Sequence, residues 1–570
     1  MPHLAPASAV LFALCTPSLA QSEIYTLVGE PTPLGGLGHT AVPLGDVDGD
    51  GFDDFAISTP DFGLPAGFWG RVDAYSGRDG ASLYFIEGTD PLQNLGFSMA
   101  RIGDVDGDGI RDLALGGPRD STSATSAGSV LVVSAADGTQ LYRLNGEVSE
   151  RIGTRLVTLP DLDADGIEDF AHNVRRSFGS PANSGGIRAV SAATGAELYA
   201  VSGSTLNDEL GRWSLASIAD IDGDGVRDII AGLPTAVRSG QLVGAAQVRS
   251  GANGALLLEV VGTVVESRFG WSVAAIDDLD GDGREDLAIG APRNPAGGVE
   301  RGSVSLHSSA SGALLMTWNG TLDRGEFGHD VAAVGDVDAN GTGDLAIGAP
   351  SVSIPATGAG AVFVVEPSSG STLYRLEGVT VGDRFGWSTD AVGDVDGDGY
   401  IDLAVGAPTA GDGVQSSGSA RLVGREFVRG TPFCLGQLNS TGARASMVAV
   451  SASGFQVAAN DTSFDANGLP PFANGYFLVS AETTITPAAG GSAGTLCLGG
   501  TEIGRYASQV QNSGAAGQIV FAIDLGAIPT PSGPIAAQPG DTLFFQLWYR
   551  DSSGGAGTSN FSDAVRVDLR

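Results

Sequence analysis

An acidic loop of the form Asp-x-Asp-x-Asp-Gly-x-x-Asp, or a close variant, begins at Asp46, Asp104, Asp161, Asp220, Asp278, Asp336 and Asp394, in steps of 57 to 59 residues. So constant a period requires one supersecondary unit used seven times, each burying its apolar face against its neighbours. Every loop leads into a short apolar run, such as Leu287-Ala288-Ile289 in the fifth repeat. The unit therefore joins a tight polar turn to a buried strand.

The fifth repeat shows the rest of the unit. Arg268-Phe269-Gly270-Trp271 opens it, followed by a short alternating stretch, the loop and Leu287-Ala288-Ile289-Gly290-Ala291-Pro292. Then come Gly302-Ser303-Val304-Ser305-Leu306-His307, a turn at Ser311-Gly312, and Leu314-Leu315-Met316-Thr317-Trp318. Four strand-like runs divided by turn residues predict an antiparallel meander, the blade of a β-propeller. The fourth-strand pattern also stands at Tyr25-Thr26-Leu27-Val28, ahead of the first loop, and none follows Gly418-Ser419-Ala420-Arg421-Leu422-Val423. The array is thus shifted by one strand. The expected fold is all-β: a seven-bladed propeller whose last blade is completed by residues 24–28, which leaves no exposed sheet edge. Gly at 87 of 570 residues, with 17% charged and 42% apolar, fits short strands, tight turns and an ample core.

Oxygen donors at alternate positions suit a hard cation, and Ca²⁺ accepts about six to eight of them. In the first loop Asp46, Asp48 and Asp50 would supply carboxylates, Phe52 its backbone carbonyl and Asp54 a closing carboxylate. The same roles fall to Asp104, Asp106, Asp108, Ile110 and Asp112, then to Asp161, Asp163, Asp165, Ile167 and Asp169. The fourth loop offers Asp220, Asp222, Asp224, Val226 and Asp228, and the fifth Asp278, Asp280, Asp282, Arg284 and Asp286. Asp336, Asp338, Asn340, Thr342 and Asp344 form the sixth, Asp394, Asp396, Asp398, Tyr400 and Asp402 the seventh. The carbonyl position varies freely, while the residue before it is glycine in all seven, as a sharp turn at positive φ requires. Up to seven structural Ca²⁺ ions are expected, the sixth site being weakest because Asn340 replaces an aspartate. Unlike an EF-hand, the loop closes at its ninth residue and enters a strand, and Mg²⁺ is disfavoured because it keeps its waters. Asp-Gly hairpin turns without metal are the alternative; carboxylate crowding argues against it.

The formal charge of −36 owes much to these loops. It also excludes a nucleic-acid partner, which needs clustered Lys and Arg against phosphates.

Phe269-Gly270 with Gly290-Ala291-Pro292, Phe327-Gly328 with Gly348-Ala349-Pro350, and Phe385-Gly386 with Gly406-Ala407-Pro408 resemble the FG-GAP repeat of the integrin α-subunit propeller. The resemblance covers about residues 24–424. It implies a seven-bladed ring with Ca²⁺ in the blade loops, in proteins that mediate cell adhesion or ligand binding outside the cell. The first four repeats depart from it with Leu37-Gly38, Leu95-Gly96, Ile152-Gly153 and Leu210-Gly211, and the third has Ala171-His172-Asn173 where Gly-Ala-Pro would stand. No inserted domain interrupts the repeats, and no apolar run is long enough to span a membrane.

Residues 1–20 read as a secretory signal, with the apolar stretch Ala9-Val10-Leu11-Phe12-Ala13-Leu14-Cys15 and a small-residue cleavage site at Ser18-Leu19-Ala20. The propeller is expected over 21–424 and a linker over 425–432. From 433 to 570 the period stops, and apolar runs such as Ile519-Val520-Phe521-Ala522-Ile523 between Gly/Ser/Pro turns predict a β-sandwich. That segment resembles tail domains of large secreted bacterial proteins. Cys434 and Cys497 are disulfide candidates in an oxidising compartment, with two buried thiols as the alternative.

The sequence contains no Gly-x-Ser-x-Gly elbow, His-Glu-x-x-His helix or phosphate loop. His39 and His329 follow the Phe-Gly position, where packing near the ring axis is expected. The chain thus reads as a non-enzymatic, secreted calcium-binding scaffold for an extracellular glycan or protein ligand, in ligand binding or cell and matrix adhesion. A structural cell-envelope protein and a hydrolase are the alternatives, and the oligomeric state stays open.

Overall fold

The computed structural model describes residues 21–569 except 30–35, 64–66, 176–180, 338–341, 354–355, 397–400, 412–416, 426–430, 435–438, 442–444, 451–459, 461, 468, 488–491, 493–494, 499–502, 507, 516, 540 and 554–555. The expected signal segment lies outside the described residues. Two compact units divide the chain, Glu23–Arg425 and Glu426–Arg570. No α-helix occurs among the described residues.

Among those residues the first unit contains seven four-stranded antiparallel sheets and one two-stranded hairpin, Val237–Arg238 with Gln241–Leu242. In the fifth repeat the sheet runs Val273–Ile276, Asp286–Ala291, Ser303–His307, Leu314–Asn319, in spatial as in chain order. The second strand, DLAIGA, is buried throughout, because neighbouring sheets cover both of its faces. The fourth, LLMTWN, alternates toward solvent because it lies outermost. A continuous apolar run and an alternating one therefore mark the depth of a strand within the blade.

The strand Gln21–Val28 is the outermost member of the sheet formed by Thr389–Gly393, Asp402–Ala407 and Ser419–Arg425. The shift by one strand thus sets the N-terminal segment beside the last repeat. Further contacts tie the first repeat to the last. Ala41 N donates to Asp390 Oδ2 at 2.9 Å, and Asp53 N to the carbonyl of Asp394 at 3.1 Å.

The Phe-Gly and Gly-Ala-Pro residues make the joints between sheets. The glycine before each third strand forms a parallel bridge to the apolar residue of the next Phe-Gly, as in Gly244 with Phe269 and Gly302 with Phe327. Gly418 makes the same bridge to Leu37 of the first repeat. Gly270, Gly328 and Gly386 take φ of +86°, +83° and +85°. Each turns its N–H onto the first glycine carbonyl of its own Gly-Ala-Pro, Gly270 N to Gly290 O at 3.0 Å for example. A Cβ on Gly290 would stand 2.3 Å from the carbonyl oxygen of Gly328 in the next blade, and one on Gly406 1.9 Å from that of Gly38.

The third repeat departs from the expected alignment. Asn173 N donates to Arg155 O at 3.2 Å, as Gly290 N does to Ser272 O at 2.9 Å. Asn173-Val174-Arg175, not Ala171-His172-Asn173, therefore occupies the Gly-Ala-Pro place. The Asn173 side chain fills it by accepting from Thr154 N and Arg155 N at 2.8 and 2.9 Å.

In the second unit Thr431–Cys434, Ala556–Asp568, Thr542–Ser553, Asn474–Ser480 and Gly504–Arg505 form one sheet, with Gln511–Asn512 also paired to Asn474–Ser480. Ser446–Val450, Ser463–Asn467 and Ile519–Ala522 form a second. Met447, Phe464 and Phe521 of the smaller sheet share a core with Phe477, Phe545 and Val565 of the larger, a sandwich arrangement. Cys497 is fully buried and disulfide-bonded. The side chain of Cys434 lies outside the described residues.

Candidate functional site

The acidic loops are shaped by hydrogen bonds from their own backbone. Asp278 Oδ1 accepts from Gly281 N at 2.7 Å and Asp282 N at 3.1 Å, while Oδ2 accepts from Gly283 N at 2.7 Å. Gly281 and Gly283 take φ of +81° and +88°, and an added Cβ on either would meet nothing within 4 Å. Glycine is thus demanded by conformation rather than by space. Folding the loop this way gathers its carboxylates. Asp46, Asp48 and Asp50 bring one oxygen each within 4.8 Å of one another, as do Asp104, Asp106 and Asp108, and Asp278, Asp280 and Asp282. In the third and fourth loops the close groups are Asp161, Asp163 and Asp169, and Asp220, Asp222 and Asp228. Asp338, Asn340, Asp398 and Tyr400 lie outside the described residues.

The ninth residue has a second role that its spacing does not reveal. Asp286 is fully buried, and its Oδ2 accepts from Leu279 N at 2.9 Å while Oδ1 accepts from Ser309 N at 3.2 Å. It therefore clasps the loop to the turn after the third strand. The loop half of the clasp recurs in every repeat, with donors Val47, Val105, Leu162, Ile221, Val337 and Val395 at 2.7 to 2.9 Å. Burial pushes the carboxyls of Asp54, Asp112, Asp169, Asp228 and Asp286 up, Asp112 to about 6, against the pull of their backbone donors. An oxygen-only cluster that crowds negative charge beside a desolvated carboxyl fits a hard divalent cation, whose charge would hold that carboxyl ionised.

At the start of the innermost strands, a cavity of about 560 Å³ is walled by residues that follow Phe-Gly in successive repeats. Phe97 lies against His39 with ring centres 4.9 Å apart, and His39 is 6.4 Å from Trp387. Trp387 to His329, His329 to Trp271 and Trp271 to Trp213 continue the arc at 4.6, 5.8 and 4.6 Å. The third repeat interrupts it with Arg155, whose Nε donates to Trp213 O at 2.7 Å. Burial pushes His39 down to about 3 and His329 to about 4, so both rings are neutral wall elements. Asp330 and Asp390 also line the cavity, accepting from Thr389 N at 2.7 Å and Ala41 N at 2.9 Å. Burial raises both carboxyls, Asp390 to about 7 with Asp330 adding to it.

Residues 100–133, 269–307, 327–365 and 385–423 match the FG-GAP repeat family. These four segments are FG-GAP repeats. The chain is 33% identical over 209 residues to integrin alpha-PS2 of Drosophila melanogaster, an overlap of 33% of this chain and 14% of that protein. It is 31% identical over 204 residues to integrin alpha-V of Gallus gallus, 34% of this chain and 19% of the relative. With integrin alpha-IIb of Homo sapiens it shares 36% identity over 163 residues, 26% of this chain and 15% of that one. The chain thus spans less than a fifth of the length of these relatives. No helix among the described residues is long and apolar enough to cross a membrane.

The FG-GAP loops are legible because all their donors lie within nine consecutive residues. The axial cavity is not, because its wall takes a short segment from each of seven repeats that stand far apart in the chain. The usable signal is the pair of positions after each Phe-Gly, which holds His39, Phe97, Trp213, Trp271, His329 and Trp387.

Proposed function

We propose that this FG-GAP propeller is a secreted, Ca²⁺-stabilised scaffold that binds an extracellular glycan or protein, in adhesion or matrix attachment. The observation that carries the reading is the contrast between its two constellations. The acidic loops keep nearly the same residues and the same buried clasp from repeat to repeat, as a structural role implies. The axial wall is not uniform: His39 and His329, Phe97, Arg155, and Trp213, Trp271 and Trp387 take equivalent places, so it offers an asymmetric surface to a ligand. In each loop the three alternate carboxylates, the seventh residue's carbonyl and the ninth carboxylate would hold the ion. Likeness to integrin α-subunits supports a place outside the cell, and the disulfide at Cys497 fits an oxidising compartment, with Cys434 as its proposed partner.

The test is an array of extracellular glycans and matrix proteins, probed with the full chain in Ca²⁺ and in EDTA. Hits that need Ca²⁺ are expected. An array without hits in either condition would discard the binding reading in favour of a structural spacer.

A further inference from the structure

In the third to sixth blades the residue before Phe-Gly, or its neighbour, meets the one ending Gly-Ala-Pro or following it, beside the Arg212 and Trp271 wall of the axial cavity. In the fourth repeat Thr235 Oγ1 donates to Glu209 Oε2 at 3.3 Å, and in the sixth Ser351 Oγ donates to Glu326 Oε2 at 2.7 Å. These pairs satisfy themselves. In the third and fifth repeats the corresponding residues are all arginine. Arg175 N donates to the carbonyl of Glu150, next to Arg151, at 2.8 Å, and Arg293 N to that of Ser267, next to Arg268, at 3.1 Å. The like charges are felt: Arg151 is held below the usual arginine value by burial and then by Arg175, Arg119 and Arg212, and Arg268 by burial and then by Arg293, against the pull of Glu209.

The chain has 66 acidic residues against 30 basic ones, so carboxylate partners are plentiful. Yet among the described residues Arg151, Arg175 and Arg268 form no ion pair, and Arg293 reaches Glu300 only at 3.9 Å. Two like-charged arginine couples, of which only Arg293 reaches a carboxylate and that at long range, offer an anion a place between them. Their setting is ordered rather than loose. The Arg268 guanidinium sits 5.5 Å from the Trp271 ring and 6.0 Å from that of Trp213, and between the couples Arg212 lies 4.8 Å from Trp213. Stacking fixes the guanidinium plane and leaves its N–H edges for bidentate contact with an oxyanion.

We propose that the mouth of the axial cavity, from the third to the fifth blade, binds an acidic saccharide. Its carboxylate or sulfate meets the arginine couples, and a sugar ring enters the tryptophan-walled cavity. Asp330, Asp390 and Arg155 on the wall offer acceptors and donors together, which matches a ring of hydroxyls. An organic cation is disfavoured because Arg212, Arg268 and Arg384 already occupy the tryptophan faces. A nucleic acid is disfavoured by the net charge of −36. The proposal rests on the reading of the propeller as an extracellular binding scaffold.

The test is biolayer interferometry of the full chain against polygalacturonate, dextran sulfate, plain dextran and a single-stranded oligothymidylate, at low and high salt. Saturable binding to one or both acidic polysaccharides is expected, weakened by salt and absent with plain dextran, and the responding polymer separates carboxylate from sulfate. The double substitution Arg151→Gln with Arg268→Gln should lower that affinity by at least about tenfold, as loss of charge-assisted hydrogen bonds requires. The same variant should melt no lower than the parent, since it relieves like-charge couples. Equal binding of plain dextran, equal or tighter binding of oligothymidylate, no binding at all, unchanged affinity in the variant, or a lowered melting temperature would each overturn the proposal. Array hits that persist in the variant would remove this inference and leave the scaffold reading; an empty array would remove both.

Discussion

A methyl group on Gly290 would stand 2.3 Å from the Gly328 carbonyl oxygen, a contact made by backbone that no side-chain rotation can relieve. The glycine at this place is therefore a spacing element between blades, and Gly406 against Gly38 repeats the argument where the last repeat meets the first. Gly290→Ala is expected to destabilise the propeller by about 1–3 kcal/mol, the usual cost of overpacking. Calorimetric melting would show the loss, and an unchanged melt would mean that the blades can part at no cost. The third repeat shows where residue-level reading reaches its limit. With no glycine to mark the position, the tripeptide was aligned two residues too early, and only the Asn173 N to Arg155 O bond fixes the register. Asn173 does not contradict the spacing rule, since its side chain replaces the missing contact by accepting two backbone N–H groups.

At the scale of the element, the acidic loop and its strand form one device. In the first five loops three carboxylates converge within 4.8 Å, and the ninth residue is withdrawn from water to clasp the next turn. The carboxylate cluster is legible in the sequence because it is local. The clasp is not, since its second donor lies 23 residues further on, as Gly77 does from Asp54. The arginine couples were hidden for the same reason: Arg151 and Arg175 stand on different sides of a blade's first hairpin. A loop that concentrates charge and then buries a carboxyl is strained without a counter-ion. With Ca²⁺ present each site should add about 0.5–1.5 kcal/mol by mass action, at dissociation constants of ~0.1–1 mM and millimolar ion. Excess EDTA is expected to lower the melting temperature markedly and added Ca²⁺ to restore it. A melt indifferent to both would sink the metal assignment, leaving the loops as self-bonded turns.

The whole propeller depends on a strand taken from the far end of the unit. Ile24, Tyr25 and Leu27 pack against a core that contains Val392 and Leu422 of the last repeat and Phe55 of the first. Tyr25 reaches further, its hydroxyl donating to Gly77 O at 2.9 Å and its ring stacking 6.4 Å from Phe55. The strand Gln21–Val28 thus serves two sheets: it completes one by hydrogen bonding and staples the other by its side chains. Without it, Ser419–Arg425 would present an unpaired edge next to an exposed apolar core, the condition under which strands recruit other chains. Deletion of residues 21–28 is therefore expected to lower the melting temperature and to produce self-association, visible by analytical ultracentrifugation. A synthetic peptide of the same residues, added in trans, should reverse both effects by pairing with the vacated edge. If the shortened chain instead melts like the parent and sediments as the same species, the last sheet stands on three strands and the tie between the first and last repeats rests on the contacts of Leu37, Ala41 and Asp53 with Gly418, Asp390 and Asp394.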